Sequence, residues 1–141
     1  MRWELLYEFG GIALDADSEC LRPLEDWLLE PDVFACWESE LLRPGLIANG
    51  IVGAIPEHPL IGQIIHDIGV EYPGNLLPWE YRGPGRLTET IRRMSYRDIT
   101  IYPSHYFLPE HFAGLPYTGK GQVFARQGWN STKAGWERPP G

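Results

Sequence analysis

The chain has 141 residues, 43% of them hydrophobic and 22% charged, with 19 acidic against 12 basic residues and a formal net charge of -7. That length suffices for one domain with its own core and predicts no second folded domain. The negative balance repels nucleic acid and anionic lipid, so no nucleic-acid partner is expected, and an anionic ligand needs local help from a metal ion or placed arginines.

Six tryptophans exceed what a minimal core needs and suit stacking surfaces, carbohydrate among them. Cys20 and Cys36 show neither a CxxC pattern nor metal-ligand spacing. Free thiols in a cytoplasmic protein are the favoured reading, with a disulfide between them as the alternative. The start, MRWELLYEFGG, carries Glu4 and Glu8 where a signal peptide would be apolar, and no run has the length of a transmembrane helix. Any membrane contact is therefore expected to be peripheral.

In chain order, Trp3, Leu6 and Tyr7 share one side at helical spacing, and Gly10 and Gly11 stop that helix. IALDAD follows as a short strand, with Leu14 and Ala16 toward the core and Asp15 and Asp17 on the opposite face. PLEDWLLEPD predicts a helix that starts near Pro23 and ends at Pro31. VFACWES reads as a strand, and LIANGIVGAIP as a strand bent near Asn49 and Gly50. HPLIGQIIHDIG places Leu60, Ile64, Ile65 and Ile68 at helical spacing and stops at Gly69. YPGNLLPWEYRGPG is broken into loop by prolines and glycines, RLTETIRRMS forms a helix with a basic edge, and DITIYPSHYF alternates as a strand. From Leu108 onward the pattern predicts irregular structure or a lid, with residues of about 133–141 as a disordered tail. Alternating strands and helices make the fold class α/β in a single domain, residues 1–141.

Asp15 and Asp17 stand one residue apart after an apolar run, where carboxylates are costly unless something pairs with them. On one face they can share a divalent cation, and their oxygen ligands suit magnesium, manganese or calcium better than zinc. A strand-end turn with Asx-type hydrogen bonds is the plainer reading of the same three residues.

The surrounding sequence resembles the sugar-binding region of the DXD-motif glycosyltransferase family, which includes capsular-polysaccharide glycosyltransferases and Golgi mannosyltransferases. LLYEFGGIALDADSECLRPLEDWL is similar to its DXD block, and FACWESELLRPGLIANGIVGAIPEHPLIGQII to the block that follows. GPG at 83–85 with Thr88, IYPSHYFLP and FARQGWNST match later elements in order. The resemblance implies the carboxy-terminal part of a GT-A-type fold, a mixed sheet with flanking helices and an irregular tail. It implies transfer of a sugar from a nucleotide-diphosphate sugar donor to a glycan or other acceptor, with retention of configuration and with Mn2+ or Mg2+ as cofactor. Carried over, Asp15 contacts the ribose or donor sugar and Asp17 ligates the metal. Gly10 and Gly11 let the backbone approach closely before the strand, and Asn49 lies near the donor sugar or acceptor. Gln127 stands where the family commonly has a histidine, leaving a weaker oxygen for the metal, and Ala13 replaces a usual tyrosine. Family members carry a nucleotide-binding portion ahead of this region, and this chain begins on the last turns of their Asp-x-x-Arg helix. A sheet without its first strands exposes an edge that favours self-association or a partner chain. The alternative function is a non-catalytic sugar-binding or assembly module that kept the carboxylates and lost the nucleotide-binding half. No catalytic nucleophile is identifiable.

Several further residues carry paired readings. Glu38 could orient an acceptor hydroxyl or be an exposed strand-end carboxylate. Trp129 is favoured to stack on or close over the donor sugar, with packing of the tail as the alternative for it and for Trp136. His58 reads as a helix-start residue rather than a ligand and His66 as surface or helix packing; His105 and His111 could line the acceptor side but have no metal spacing, and neither is assigned a role. Arg82 and Arg86 flank GPG and could neutralise a phosphate or simply be solvated. Arg92, Arg93 and Arg97 form a charge run that reads as a solvated face, or as a peripheral membrane contact.

Overall fold

The computed structural model describes residues 1–130. Trp136, the tail at 133–141 and most of the NST triplet lie outside the described residues. A four-stranded mixed sheet has the order β1 (Gly11–Leu14), β4 (Arg43–Ala54), β3 (Val33–Ser39) and β5 (Thr100–Tyr102). β4 runs antiparallel to both neighbours, and β3 and β5 are parallel. A second, two-stranded antiparallel sheet joins β2 (Ser18–Cys20) to β6 (Ala125–Gln127).

β3 is buried on both faces, so its apolar run alternates between two cores rather than between core and water. Val33 and Ala35 face a layer built from α1 (Arg2–Phe9), α2 (Pro59–Val70) and α4 (Pro84–Met94), with Trp3, Leu6, Leu60, Ile61, Ile64 and Leu87. Phe34 and Cys36 face a second layer of Leu28, Tyr102, Phe107, Leu108, Phe124 and Trp129. The stretch from Tyr102 to Trp129 therefore packs as an aromatic wall without helical periodicity.

Local chemistry sets the boundaries. α1 ends where Gly10 turns to φ 65° and its N–H donates to Leu6 O; a Cβ there would strike Pro56 and Ala54, so only glycine fits. At Gly11 the space is open and the need is its φ of 97°. α2 is capped by His58, whose Nδ1 accepts from Leu60 N at 3.1 Å, with Pro59 as the first helical residue. The bend expected at Asn49 and Gly50 is a register irregularity: Phe34 pairs with Gly53, but Cys36 pairs with Ala48. There β4 has four residues opposite one, which frees its main chain from the β3 ladder.

Four expectations need correction; one is DITIYPSHYF, of which only Thr100–Tyr102 is strand, Pro103 ending it before a 3-10 turn at Ser104–Tyr106. PLEDWLLEPD forms only a 3-10 turn over Asp26–Leu29; Pro23 and Pro31 leave too short a stretch, and Leu28 alone is drawn into the core. The loop before α4 contains a one-turn helix, α3 (Pro78–Tyr81), stabilised by Glu80 accepting from Leu77 N at 2.7 Å. β1 stops at Leu14, which is 54% exposed, and Ala16 is exposed as well; β1 is an edge strand whose Ile12 and Ala13 supply the packing.

Buried charge is concentrated between α2 and α4. Asp67 accepts from Gln63, Thr90 and Arg93 at 2.8, 2.9 and 2.5 Å. Burial pulls its carboxyl upward, but these donors and the Arg93 charge outweigh it and hold the group below the usual range. Arg86 is buried rather than solvated, donating to Tyr81 O and Glu71, while Arg92 pairs with Glu89. Cys20 and Cys36 are both free. Among the described residues no helix is long and apolar enough to cross a membrane.

Candidate functional site

Asp15 and Asp17 belong to the turn between β1 and β2 rather than to a strand face. The turn closes with Ser18 N donating to Asp15 O and is anchored to the irregular segment of β4 by Asp15 N donating to Gly50 O, each at 3.0 Å. Both carboxylates nevertheless line one open cleft of about 870 Å³. A turn and a strand end thus give the juxtaposition that strand alternation was expected to give.

Each wall of the cleft comes from a different element. The first turn of α1 supplies Arg2 and Trp3, β4 supplies Asn49, and the α3–α4 junction supplies Trp79, Arg82 and Pro84. Trp3 Nε1 donates to Arg82 O at 3.0 Å and ties two of these walls together. Arg2, like Trp79, is a residue that sequence reasoning missed. One of its nitrogens donates to Asn49 O at 2.5 Å, and another is ion-paired with Asp15 Oδ1. Its position on the first helical turn, thirteen residues before Asp15, carries no spacing signal.

β6 closes the site from the far end of the chain. Gln127 pairs with Ser18 across the small sheet, and its Nε2 donates to Asp15 Oδ2 at 2.9 Å. Gly50 lies beneath them, and a Cβ there would run into the Gln127 amide and come within 3.1 Å of Asp15 Oδ2. The following turn is held by Asp17, whose main-chain O accepts from Gly128 N at 3.0 Å and whose Oδ2 accepts from Asn130 N at 2.8 Å. Asx-type capping and a shared cleft therefore coexist in the same residue.

A smaller recess of about 140 Å³ adjoins the cleft and shares Asp15, Asn49, Trp79 and Pro84 with it. Glu38, 5% exposed, is buried in its wall rather than standing at an exposed strand end. Glu38 Oε2 meets His111 Nε2 at 3.2 Å and Arg43 Nη1 at 3.3 Å. Trp129 lines this recess rather than the large cleft, and its Nε1 donates to Glu110 O at 2.8 Å. Gly10 and Gly11 line neither space and serve the α1–β1 turn.

A metal at the aspartates can be weighed from the donors present. Among the described residues no group of three His, Cys, Asp or Glu side chains converges. Asp17 Oδ1 is not engaged in the hydrogen bonds of this turn, whereas the two Asp15 oxygens are taken by Arg2 and the Gln127 amide. Such a set fits a hard cation that takes one or two carboxylates and completes its shell with water and ligand phosphates, and it does not fit a closed zinc site.

Fold and site together define an α/β domain with an open cleft whose floor carries paired carboxylates flanked by two arginines. No family model matches the chain. Among curated proteins it is 34% identical over 67 residues to inositol phosphoceramide mannosyltransferase 1 of Schizosaccharomyces pombe, covering 48% of this chain and 20% of that protein. It is 32% identical over 68 residues to inositol phosphoceramide mannosyltransferase 3 of the same yeast, covering 48% and 18%. It is 28% identical over 91 residues to the human alpha-1,4-N-acetylglucosaminyltransferase, covering 64% and 24%. A solved structure titled PaToxG Glycosyltransferase aligns with a TM-score of 0.49 and 16% identity, over 66% of this chain and 32% of that one. The chain is thus related in sequence to proteins named for glycosyl transfer and spans no more than about a quarter of the length of these curated relatives.

Proposed function

We infer that the cleft takes a nucleotide-diphosphate sugar and serves transfer of its sugar to a hydroxyl of a glycan or other acceptor, with retention of configuration. The observation that carries this reading is the convergence of Asp15, Asp17, Arg2 and Arg82 on one cleft of about 870 Å³. That volume suits a nucleotide sugar, since ligand sites of roughly 300–1,000 Å³ are usual for molecules of this scale. The named relatives support the same class of chemistry. The mixed sheet with its flanking helices is consistent with the carboxy-terminal part of a GT-A-type fold, and free Cys20 and Cys36 suit the reducing cytoplasm.

In this reading Asp17 holds Mn2+ or Mg2+, with Asp15 and Gln127 as the further oxygen donors. When bound, the cation supplies electrophilic stabilisation of charge on the departing diphosphate. Arg82, exposed at the cleft wall, adds a fixed positive charge near the phosphates. Arg2 holds the Asp15 carboxylate in place, and Asn49 offers an amide to sugar hydroxyls.

The second reading, a non-catalytic sugar-binding or assembly module, is favoured by one feature. Both Asp15 oxygens and one Asp17 oxygen already have protein partners. Calorimetry with manganese and a panel of nucleotide sugars separates the two. Metal-dependent donor binding that disappears in Asp17→Ala is the expected result, and donor binding without metal dependence supports the module instead.

A further inference from the structure

The small recess beside the cleft has the makings of a second binding site. At about 140 Å³ it is well below the roughly 300–1,000 Å³ of drug-sized ligand sites, which limits it to a single small ring. Phe112 and Trp129 form one wall, their ring centroids 5.4 Å apart, and Trp79 forms another. Such aromatic faces suit the apolar face of a pyranose. Polar groups are few and placed: Glu38, Asn49 and Gln127 can take or give hydrogen bonds to hydroxyls.

The electrostatic arrangement around Glu38 is built rather than incidental. Ala113 N donates to His111 Nδ1 at 3.2 Å, which leaves the imidazole hydrogen on Nε2. Nε2 then donates to Glu38 Oε2, and Arg43, whose guanidinium stacks 4.8 Å above the Trp79 ring, donates to the same oxygen. Both donors converge on Oε2, so among the described residues Oε1 is the oxygen left to accept from a ligand. Asp15 and Arg43 line the recess as well; Glu38 is paired with Arg43 and Asp15 with Arg2, so among the described residues no unpaired cation is left there to draw in an anionic ring.

We propose that this recess is the acceptor subsite, holding one neutral pyranose ring with Glu38 Oε1 accepting a hydrogen bond from its hydroxyl and His111 acting as the positioning residue for Glu38. As an acceptor site it rests on the transferase reading above; as a pocket for a neutral sugar it does not. Because the recess shares Asp15 and Asn49 with the large cleft, a ring bound here lies against the place where the donor sugar would sit.

The test uses the full chain and methyl glycosides of glucose, galactose, mannose and N-acetylglucosamine, with methyl glucuronide as the anionic counterpart, read by saturation-transfer NMR and titration. At least one neutral glycoside binds, and the glucuronide binds at least tenfold more weakly. Glu38→Gln, similar in volume, weakens the neutral glycoside at least tenfold. His111→Ala weakens it about fivefold or more, and His111→Gln, which restores an N–H near Glu38, recovers most of that loss. Phe112→Ala, at a partly exposed wall residue, gives a second reading if the buried variants fail to fold, and weakens binding several-fold. Failure of every neutral glycoside to bind, unchanged binding in Glu38→Gln or Phe112→Ala, or equal binding of the glucuronide overturns the assignment. Manganese-dependent donor binding is measured separately on the same samples; its absence overturns the transferase reading and leaves the sugar pocket standing.

Discussion

Gly50→Ala separates the stability of the fold from the geometry of the site. Gly50 is buried in β4 and is not among the positive-φ glycines, so alanine meets no backbone strain. Its Cβ would overlap the Gln127 side-chain amide and approach Asp15 Oδ2 at 3.1 Å. The clash is with the far end of a flexible side chain, so Gln127 moves and the Gln127–Asp15 hydrogen bond is lost. A hydrogen bond to a charged group is worth about 1.5–3 kcal/mol net. Asp15 is about a quarter exposed, so water replaces part of it and about 1–2 kcal/mol is the expected cost. Replacing glycine reduces the freedom of the unfolded chain and returns about 0.4–1 kcal/mol. The net change is a loss of up to about 1.5 kcal/mol, a few degrees in Tm for a chain of this size. Urea melts measure that term; on the proposed function, manganese-dependent nucleotide-sugar titration measures the site, and displacement of Gln127 weakens binding about tenfold. A loss of more than about 3 kcal/mol would show that the Cβ meets something rigid and refute the reasoning; so would a site that binds as before.

Asp67→Asn removes one of the two ion pairs of Arg93, leaving it with Glu71 alone, and weakens the Thr90 contact. Because Arg93 is half exposed, the cost is about 2–3 kcal/mol rather than the full penalty of a buried pair, read from urea midpoints. The folded carboxyl titrates lower than the unfolded one, so its contribution is present above the unfolded value and is lost as pH falls below about 4. The wild type should therefore lose stability more steeply than Asp67→Asn between about pH 4 and 2 in acid titrations followed by circular dichroism. Burial pushes the Cys36 thiol far up, whereas Cys20 is exposed, so a thiol reagent at pH 8 labels one cysteine in the native protein and two in urea. His58→Ala removes the α2 cap and the Tyr96 contact and costs about 1 kcal/mol in thermal melts.

What was legible in the sequence follows from range. α1, α2 and α4 and the strands β3 and β4 carry their periodicity within ten or so residues, and each forms where the pattern places it. The 3-10 turn at Asp26–Leu29 did not, because the propensity for helix there is overridden by two prolines and a single core anchor. At the site, Asp15 and Asp17 were visible as a local oddity, although their common orientation arises from a turn. Glu38 looked exposed because only the fold brings His111, 73 residues away, onto it. Arg2 and Trp79 gave no local signal at all, since their meaning lies in which wall of the cleft each one forms.

The clasp between Asp15 and Gln127 spans 112 residues of sequence. Synthesis from the amino terminus can lay down α1, β1, β3, β4 and the helical layer well before β6 exists, and loop closure over such a distance comes late. The carboxylate turn therefore emerges early and waits, its companion amide and the Asn130 cap arriving only with the final segment. A proteolytic cut in the irregular stretch before β6 would spare most of the helical core while leaving the cleft unfinished. On the proposed reading, the site is complete only once β6 has paired with β2.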